Sequence, residues 1–289
     1  MTVYPFKIPL PFFPHELTGY GLMMMVAFLT GGWLVSLELR RRRLSEDYSA
    51  DIVAAAVIGG VIGAKLWYVA LTGDPGTLFS RGGFVWYGGF LGGTAAVILN
   101  GWRLRVPLRW TMQLVAPALA AAYALGRVGC FLVNDDYGRP SGVPWAMRFP
   151  EGLPPSTAGN MHRMFGVPIP AGTDPSTILA VHPTQLYEVT LMLGAFALLW
   201  VWRTRPRPIG WLFGAYLVFA GVERFLVEIL RAKDDRFLGP FTLAQLTSVV
   251  LVGIGIYLAS AWKGQPDPAP GPYLTTGKDL AASNPSTAT

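Results

Sequence analysis

The chain holds a single cysteine, Cys130, in 289 residues. An internal disulfide and any cysteine-based metal site are excluded at once. Histidine is scarce as well. His15, His162 and His182 lie far apart and show no HExxH or other ligand spacing, so no metal centre is expected. Charge is the third shortage. Asp, Glu, Lys and Arg make up 14% of the residues, where a soluble domain carries about 25%. An ordinary soluble fold does not fit that figure. No short apolar segment with a small-residue cleavage site precedes the first long apolar block, so no cleaved signal peptide is expected.

What is abundant is apolar sequence. The hydrophobic fraction is 52% and the mean hydropathy +0.40. The apolar residues come in blocks of roughly 20, the length that crosses a bilayer as a helix. Seven blocks are read, near 20–39, 50–71, 83–102, 110–131, 183–202, 209–230 and 241–262. The expected fold is an all-α integral membrane protein of seven transmembrane helices, with one membrane domain over 20–262. Residues 1–19, with Pro5, Pro9, Pro11 and Pro14 among Tyr4, Phe6, Phe12 and Phe13, read as an extended interfacial arm. A polar insertion rich in Pro and Gly, 132–181, separates spans four and five. The tail, 263–289, reads as disordered.

The net charge of +6 does not point to nucleic acid, because the basic residues gather at span ends. Arg40 to Arg43 follow span one, Arg103, Arg105 and Arg109 follow span three, and Arg203, Arg205 and Arg207 follow span five. Tight basic runs of this kind mark the cytoplasmic side. The N-terminus and a periplasmic insertion are therefore expected outside, and the C-terminus in the cytoplasm.

Against this background three basic residues stand inside or at the outer edge of spans: Lys65, Arg127 and Arg224. An ionisable group at such depth marks a site that handles charge. Arg127 belongs to the stretch Gly126 to Pro140, which begins at the end of span four and breaks into a polar turn. Arg224 sits at similar depth on span six. A guanidinium pairs two phosphate oxygens at once and never loses its charge, so the two point to a bound phosphate headgroup. The plainer alternative pairs each arginine with a carboxylate for structure alone, Arg224 with Glu228 at i+4 or with Glu188. The phosphate reading is preferred, since an ion pair is a costly way to hold helices together in lipid.

Gly59 and Gly63 form a GxxxG that reads as helix packing. Tyr87 beside Gly88 and Gly89 reads equally as packing or as a cavity lining. In the stretch 182–188, Pro183 is expected at the first helical position, and Thr184, Tyr187 and Glu188 would share a face. His182 reads as an interfacial hydrogen-bonding residue, and Cys130 as a packing thiol.

Together, Gly126-Arg127-Val128-Gly129-Cys130-Phe131 through Tyr137-Gly138-Arg139, and His182-Pro183-Thr184-Gln185-Leu186-Tyr187-Glu188, resemble the prolipoprotein diacylglyceryl transferases. The likeness extends to Tyr20-Gly21, Tyr87-Gly88-Gly89 and Arg224 to Glu228, over about residues 15–262. It implies a bacterial inner-membrane enzyme that moves the diacylglyceryl group of phosphatidylglycerol onto the lipobox cysteine of a prolipoprotein signal peptide. A thioether forms and glycerol 1-phosphate leaves, with no cofactor or metal. The resemblance implies Arg127, Arg224, Glu228, Tyr87 and Asp135 as catalytic residues. Its implied substrate-binding residues are Tyr20, Gly88, Gly89, Asn134, Gly138 and Arg139, with His182, Gln185, Tyr187 and Glu188 on the later stretch. The chain departs from the family where His-Gly-Gly reads Tyr87-Gly88-Gly89 and where the Asn of Gly-Arg-x-Gly-Asn reads Cys130. An asparagine and a glutamate of the turn are displaced or shortened to Asn134 and Asp135, and a tyrosine before the span-six arginine is Ala220. If the family histidine takes the thiol proton, this chain needs another acceptor, such as Tyr87, Asp135 or Glu228.

Three other readings compete: a related transferase with another acceptor, a non-catalytic phospholipid-binding protein, and a small-solute transporter. The absence of an internal repeat speaks against the transporter.

Overall fold

A computed structural model describes residues 1–9, 16–80, 83–232, 236–238 (backbone only) and 241–276. His15, the arm's Pro11, Phe12, Phe13 and Pro14, and the tail from 277 onward lie outside the described residues. The protein is mainly helical: α1 (Gly19–Arg41), α2 (Asp47–Thr72), α3 (Trp86–Arg103), α4 (Leu108–Leu132), α5 (Ala158–Phe165), α6 (Thr184–Trp202), α7 (Trp211–Glu228), α8 (Leu243–Ala261) and α9 (Pro272–Thr275). Two short antiparallel pairs join β1 (Lys7–Pro9) to β2 (Glu16–Thr18) and β3 (Arg236–Leu238) to β4 (Phe241–Thr242).

Each of the seven apolar blocks is a helix. Five of them, α1, α2, α4, α6 and α8, are long and apolar enough to cross a membrane. The ends follow local chemistry. A capping box of Thr242 and Gln245 starts α8, and Gly73 at φ 68° stops α2. Two boundaries differ from expectation. Helix α1 runs on through Arg40 and Arg41, because buried Glu38 takes Arg41 at i+3 and Arg42 at i+4, both at 2.6 Å. Pro183 is the residue before α6 rather than its first, with the helix opening at Thr184.

The chain divides into two compact units. The first holds residues 1–30, 119–207 and 211–263. Within it, α7 and α8 touch through Gly214, Gly221 and Gly255; a Cβ on Gly255 would lie 2.6 Å from the Gly214 carbonyl. The described residues of the N-terminal arm carry β1 and β2 and are tied down by backbone hydrogen bonds. Val3 donates to the Arg148 carbonyl at 2.9 Å and Phe6 to the Leu132 carbonyl at 2.7 Å. The insertion builds a small core of its own from Tyr137, Phe149, Met161 and Val181, with Val3 and Phe131 packed against it.

The second unit holds residues 31–118, 208–210 and 264–289. Helices α2 and α3 cross where Gly59 and Gly63 meet Gly88 and Gly92; a Cβ on Gly88 would lie 2.3 Å from the Gly63 carbonyl. The expected disorder of the tail is corrected here over 264–276. Leu274 is fully buried, and its carbonyl accepts from Ser45 N–H at 2.9 Å. Trp110 Nε1 donates to the Pro268 carbonyl at 2.8 Å, and Asp267 accepts from Ile209 N–H at 2.7 Å. Composition favoured disorder, but one buried leucine and two matched polar anchors outweigh it. Leu274→Ala is expected to destabilise this unit by about 2–5 kcal/mol, the usual loss for a buried leucine. Thermal unfolding of the detergent-solubilised protein tests this, and an unchanged midpoint would contradict it.

Candidate active site

The first unit gathers the charged residues of four segments into a closed ring. Arg127 stands near the end of α4, and its Nη1 is 2.8 Å from Asp136 Oδ2. Asp136 Oδ1 is 2.6 Å from Arg231 Nη2, just past α7. Arg231 Nε lies 3.8 Å from Glu228 Oε2, and that same oxygen accepts from Arg224 Nη2 at 2.6 Å. Arg224 Nη1 is 3.6 Å from Glu188 Oε1 on α6, and Glu188 Oε2 is 3.1 Å from Arg127 Nε. Three guanidinium groups alternate with three carboxylates and the circuit returns to its start. Glu188 is fully buried and Glu228 nearly so. Tyr123, one turn before Arg127, donates to Glu188 Oε1 at 3.2 Å.

Local conformation explains how the ring is held. The turn after α4 places Asn134 at φ 59° and Asp136 at φ 62°. Asn and Asp tolerate this left-handed region better than other side-chain-bearing residues. Thr184 Oγ1 donates to the Asp136 carbonyl at 2.7 Å, and the Gln185 amide donates to that of Asp135. Gly138 N–H donates to the His182 carbonyl at 2.8 Å, and Arg139 N–H to Leu230 at 2.8 Å. A Cβ on Gly138 would come within 2.5 Å of the Leu230 carbonyl, so only glycine fits where three segments meet. Glycine also lets α4 approach α1 closely. Gly129 lies against Tyr20 and Met23 of α1, where a Cβ would sit 3.1 Å from Met23 Cβ. That close approach faces α1, while Arg127 points into the ring.

Asp135 and Asp136 are neighbours with opposite electrostatics. Burial raises the Asp135 carboxyl above the usual carboxylate range, and the charge of Asp136 adds to it. Burial works against the charge of Asp136 too, but Arg231 and Arg127 outweigh it and hold that carboxyl down at about 2. The stability this contributes is complete above the ordinary value of 3.8 and is lost as pH falls through about 2. Both aspartates and Arg231 line a cavity of about 210 Å³, closed on its apolar side by Leu153, Pro154 and Phe165. The ring's donors are not all spent. Among the described residues, Arg224 Nη1 and Arg231 Nη1 are buried without a hydrogen bond.

Several residues expected at the site do structural work here. Asn134 is fully buried, and its amide donates to the Val3 carbonyl at 3.0 Å. Arg139 Nε donates to the Arg231 carbonyl at 2.9 Å. His182 Nδ1 pairs with Tyr187 Oη at 3.1 Å, and that hydroxyl accepts from Trp145 Nε1 at 2.7 Å. Burial lowers the His182 pKa. Tyr20 is exposed at the start of α1. Tyr87, Gly88 and Gly89 open α3 in the second unit, where Tyr87 is exposed and meets Trp86 edge-on. Both pairings weighed for Arg224, with Glu228 and with Glu188, occur together.

Arg231, Asp136, Tyr123 and Glu223 belong to the cluster and were not among the expected site residues. Two of them left a helical signal: Tyr123 at i−4 from Arg127 and Arg231 at i+3 from Glu228. Asp136 left none that separates it from Asp135. Among the described residues no group of three His, Cys, Asp or Glu side chains is placed to hold a metal ion.

A family model described as prolipoprotein diacylglyceryl transferase matches residues 7–261. Curated relatives named phosphatidylglycerol–prolipoprotein diacylglyceryl transferase are similar to this chain. The one from Clostridium tetani (strain Massachusetts / E88) is 30% identical over 253 residues, 85% of this chain and 93% of the relative. One from Nitratidesulfovibrio vulgaris (strain DSM 19637 / Miyazaki F) is 30% identical over 265 residues, with 85% and 89% covered. One from Pseudomonas putida (strain ATCC 700007 / DSM 6899 / JCM 31910 / BCRC 17059 / LMG 24140 / F1) is 30% identical over 261 residues, with 84% and 89% covered.

Proposed function

Because the chain belongs to the prolipoprotein diacylglyceryl transferase family, we propose that it transfers the diacylglyceryl group of phosphatidylglycerol to the lipobox cysteine of a prolipoprotein. The thiol sulfur attacks the glycerol carbon that bears the phosphate. An S–C bond forms, the C–O bond breaks, its electron pair stays on the phosphate oxygen, and glycerol 1-phosphate leaves. The thiol proton must go to a base.

The observation that carries this reading is the ring of Arg127, Arg224 and Arg231. Charge grows on the phosphate as the C–O bond breaks, and guanidinium groups already fixed in a water-poor site stabilise it with no reorganisation. Arg224 and Arg231 each keep an Nη1 without a hydrogen bond, and Asp136 is the ring carboxylate with most exposure, at 32% of its side chain. Phosphate oxygens would take the free donors and displace Asp136. Glu228, held by Arg224 at 2.6 Å, orients that arginine. The 210 Å³ cavity suits a small polar headgroup, being below the roughly 300–1,000 Å³ of drug-sized pockets; the acyl chains stay in lipid. Tyr20, Asp135 and Gly138 shape this site, and Tyr87, Gly88, Gly89, Asn134, Arg139, His182, Gln185 and Tyr187 complete the set proposed to meet or support the substrates.

We further propose that α3 and α7 cross the membrane with the other five helices, in the bacterial inner membrane. The N-terminus and the insertion then face the periplasm and the C-terminus the cytoplasm, as the basic runs require.

The test uses purified protein in phosphatidylglycerol vesicles with a lipobox peptide. The peptide is expected to gain one diacylglyceryl mass as one glycerol 1-phosphate appears. A peptide of unchanged mass, with no glycerol phosphate released, would refute the activity on this pair.

A further inference from the structure

The ring accounts for three carboxylates and leaves one in the cluster unexplained. Glu223 precedes Arg224 on α7, is 4% exposed, and its Oε1 has no hydrogen bond. No ion pair to Glu223 occurs among the described residues, although Arg127 and Arg224 lie close enough to act on its charge. The other groups facing it are Tyr123 and Glu188, with Tyr216 on its own helix. The Tyr123 hydroxyl donates to Glu188 Oε1 at 3.2 Å.

A carboxylate buried without a partner is relieved of its charge when it takes up a proton. The reaction proposed above contains one proton problem. A free thiol has a pKa of about 8.5, whereas a phosphate monoester loses its second proton near 6. The nucleophile therefore needs a base and the leaving group needs no acid. Glu188 Oε2 and Glu228 Oε1 also lack a hydrogen bond, but the ring carboxylates are committed by charge: Glu228, Asp136 and Glu188 each face two guanidinium groups. Asp135 accepts from Asp136 N–H at 2.7 Å.

We propose that Glu223 is the proton acceptor of the site, taking the thiol proton as the S–C bond forms and releasing it to water once glycerol 1-phosphate has left. This rests on the transferase reading. In-line displacement sets the thiol on the side of the reacting carbon opposite the phosphate. The acceptor must then be free of the arginines that hold the phosphate, and among the described residues Glu223 makes no ion pair to them and has an unpartnered Oε1.

The experiment compares the full chain with Glu223→Gln, using lipobox peptides bearing cysteine or selenocysteine. A selenol is already ionised at neutral pH and needs no base. Glu223→Gln is expected to lose about 10²–10⁴-fold in rate with the thiol peptide, to lose the acid limb of the pH–rate profile, and to recover with the selenol peptide. Equal loss on both peptides would assign Glu223 a structural role and overturn the proposal. So would a wild-type profile in Glu223→Gln, or an acid limb that disappears in Asp135→Asn instead. Glu223→Asp is the second variant should the amide not fold. It is expected to keep the acid limb at a lower rate, and a limb absent there would equally overturn the proposal. Failure of the unsubstituted protein on the thiol peptide would instead sink the transferase reading itself.

Discussion

Arg127→Lys is expected to lose at least about 10²-fold in kcat/KM while the protein still folds. Lysine keeps the positive charge that Asp136 and Glu188 need, but it loses the planar fork that pairs two phosphate oxygens. Removing a single preorganised donor from a developing oxyanion typically removes 10²–10³-fold, or about 3–4 kcal/mol. Arg127→Ala or Arg224→Ala should abolish turnover altogether. The ring adds a consequence for the alanine variants that the isolated arginines did not suggest. Arg127→Ala leaves Glu188, fully buried, with Arg224 at 3.6 Å as its one ion-pair partner among the described residues, so a lower unfolding midpoint is expected along with the lost activity. The lysine variant separates the two effects. Glycerol phosphate release beside a thermal melt on the same preparation is the measurement. Full activity in Arg127→Lys would refute the phosphate-clamp role.

Glu188→Leu is expected to be among the most destabilising single changes in the first unit. Glu188 joins Arg127 and Arg224 from α6 with no exposed surface. Leucine leaves two guanidinium groups facing an apolar side chain, and breaking a buried pair from one side is destabilising by about 3–5 kcal/mol. Glu188→Gln keeps an acceptor in place and should lose less. Unfolding of the two variants in detergent distinguishes them. Equal midpoints for leucine, glutamine and the natural residue would mean that the ring carries no stability.

How much of this was legible beforehand depends on how far each signal reaches along the chain. Arg127 and Arg224 stood out because a charge within an apolar block is visible from its immediate neighbours. Glu228 followed at i+4 on the same helix. Arg231 was not among the expected site residues, because α7 ends at Glu228 and the next turn bends it back to Asp136. Nothing in the composition of Asn134-Asp135-Asp136 tells which aspartate faces the arginines. The left-handed backbone at 134 and 136 makes that choice. The tail was misread over 264–276 for a related reason. Its composition is that of a disordered segment, and the groups that bond it, Ser45 to Leu274 and Trp110 to Pro268, lie more than a hundred positions earlier.

The sequence alone settles that this is a helical membrane protein, where its seven apolar helices lie, and which arginines are too deep to be accidental. Those facts follow from hydrophobic length and local charge, which neighbouring residues set. Only the tertiary structure decides that Arg127, Arg224 and Arg231 share Asp136, Glu188 and Glu228 in one closed ring, and that Glu223 stands beside it uncommitted. An ion pair is specified within a few ångströms, and the segments that supply these charges are brought that close by packing around Gly138 and the turn at 134–136.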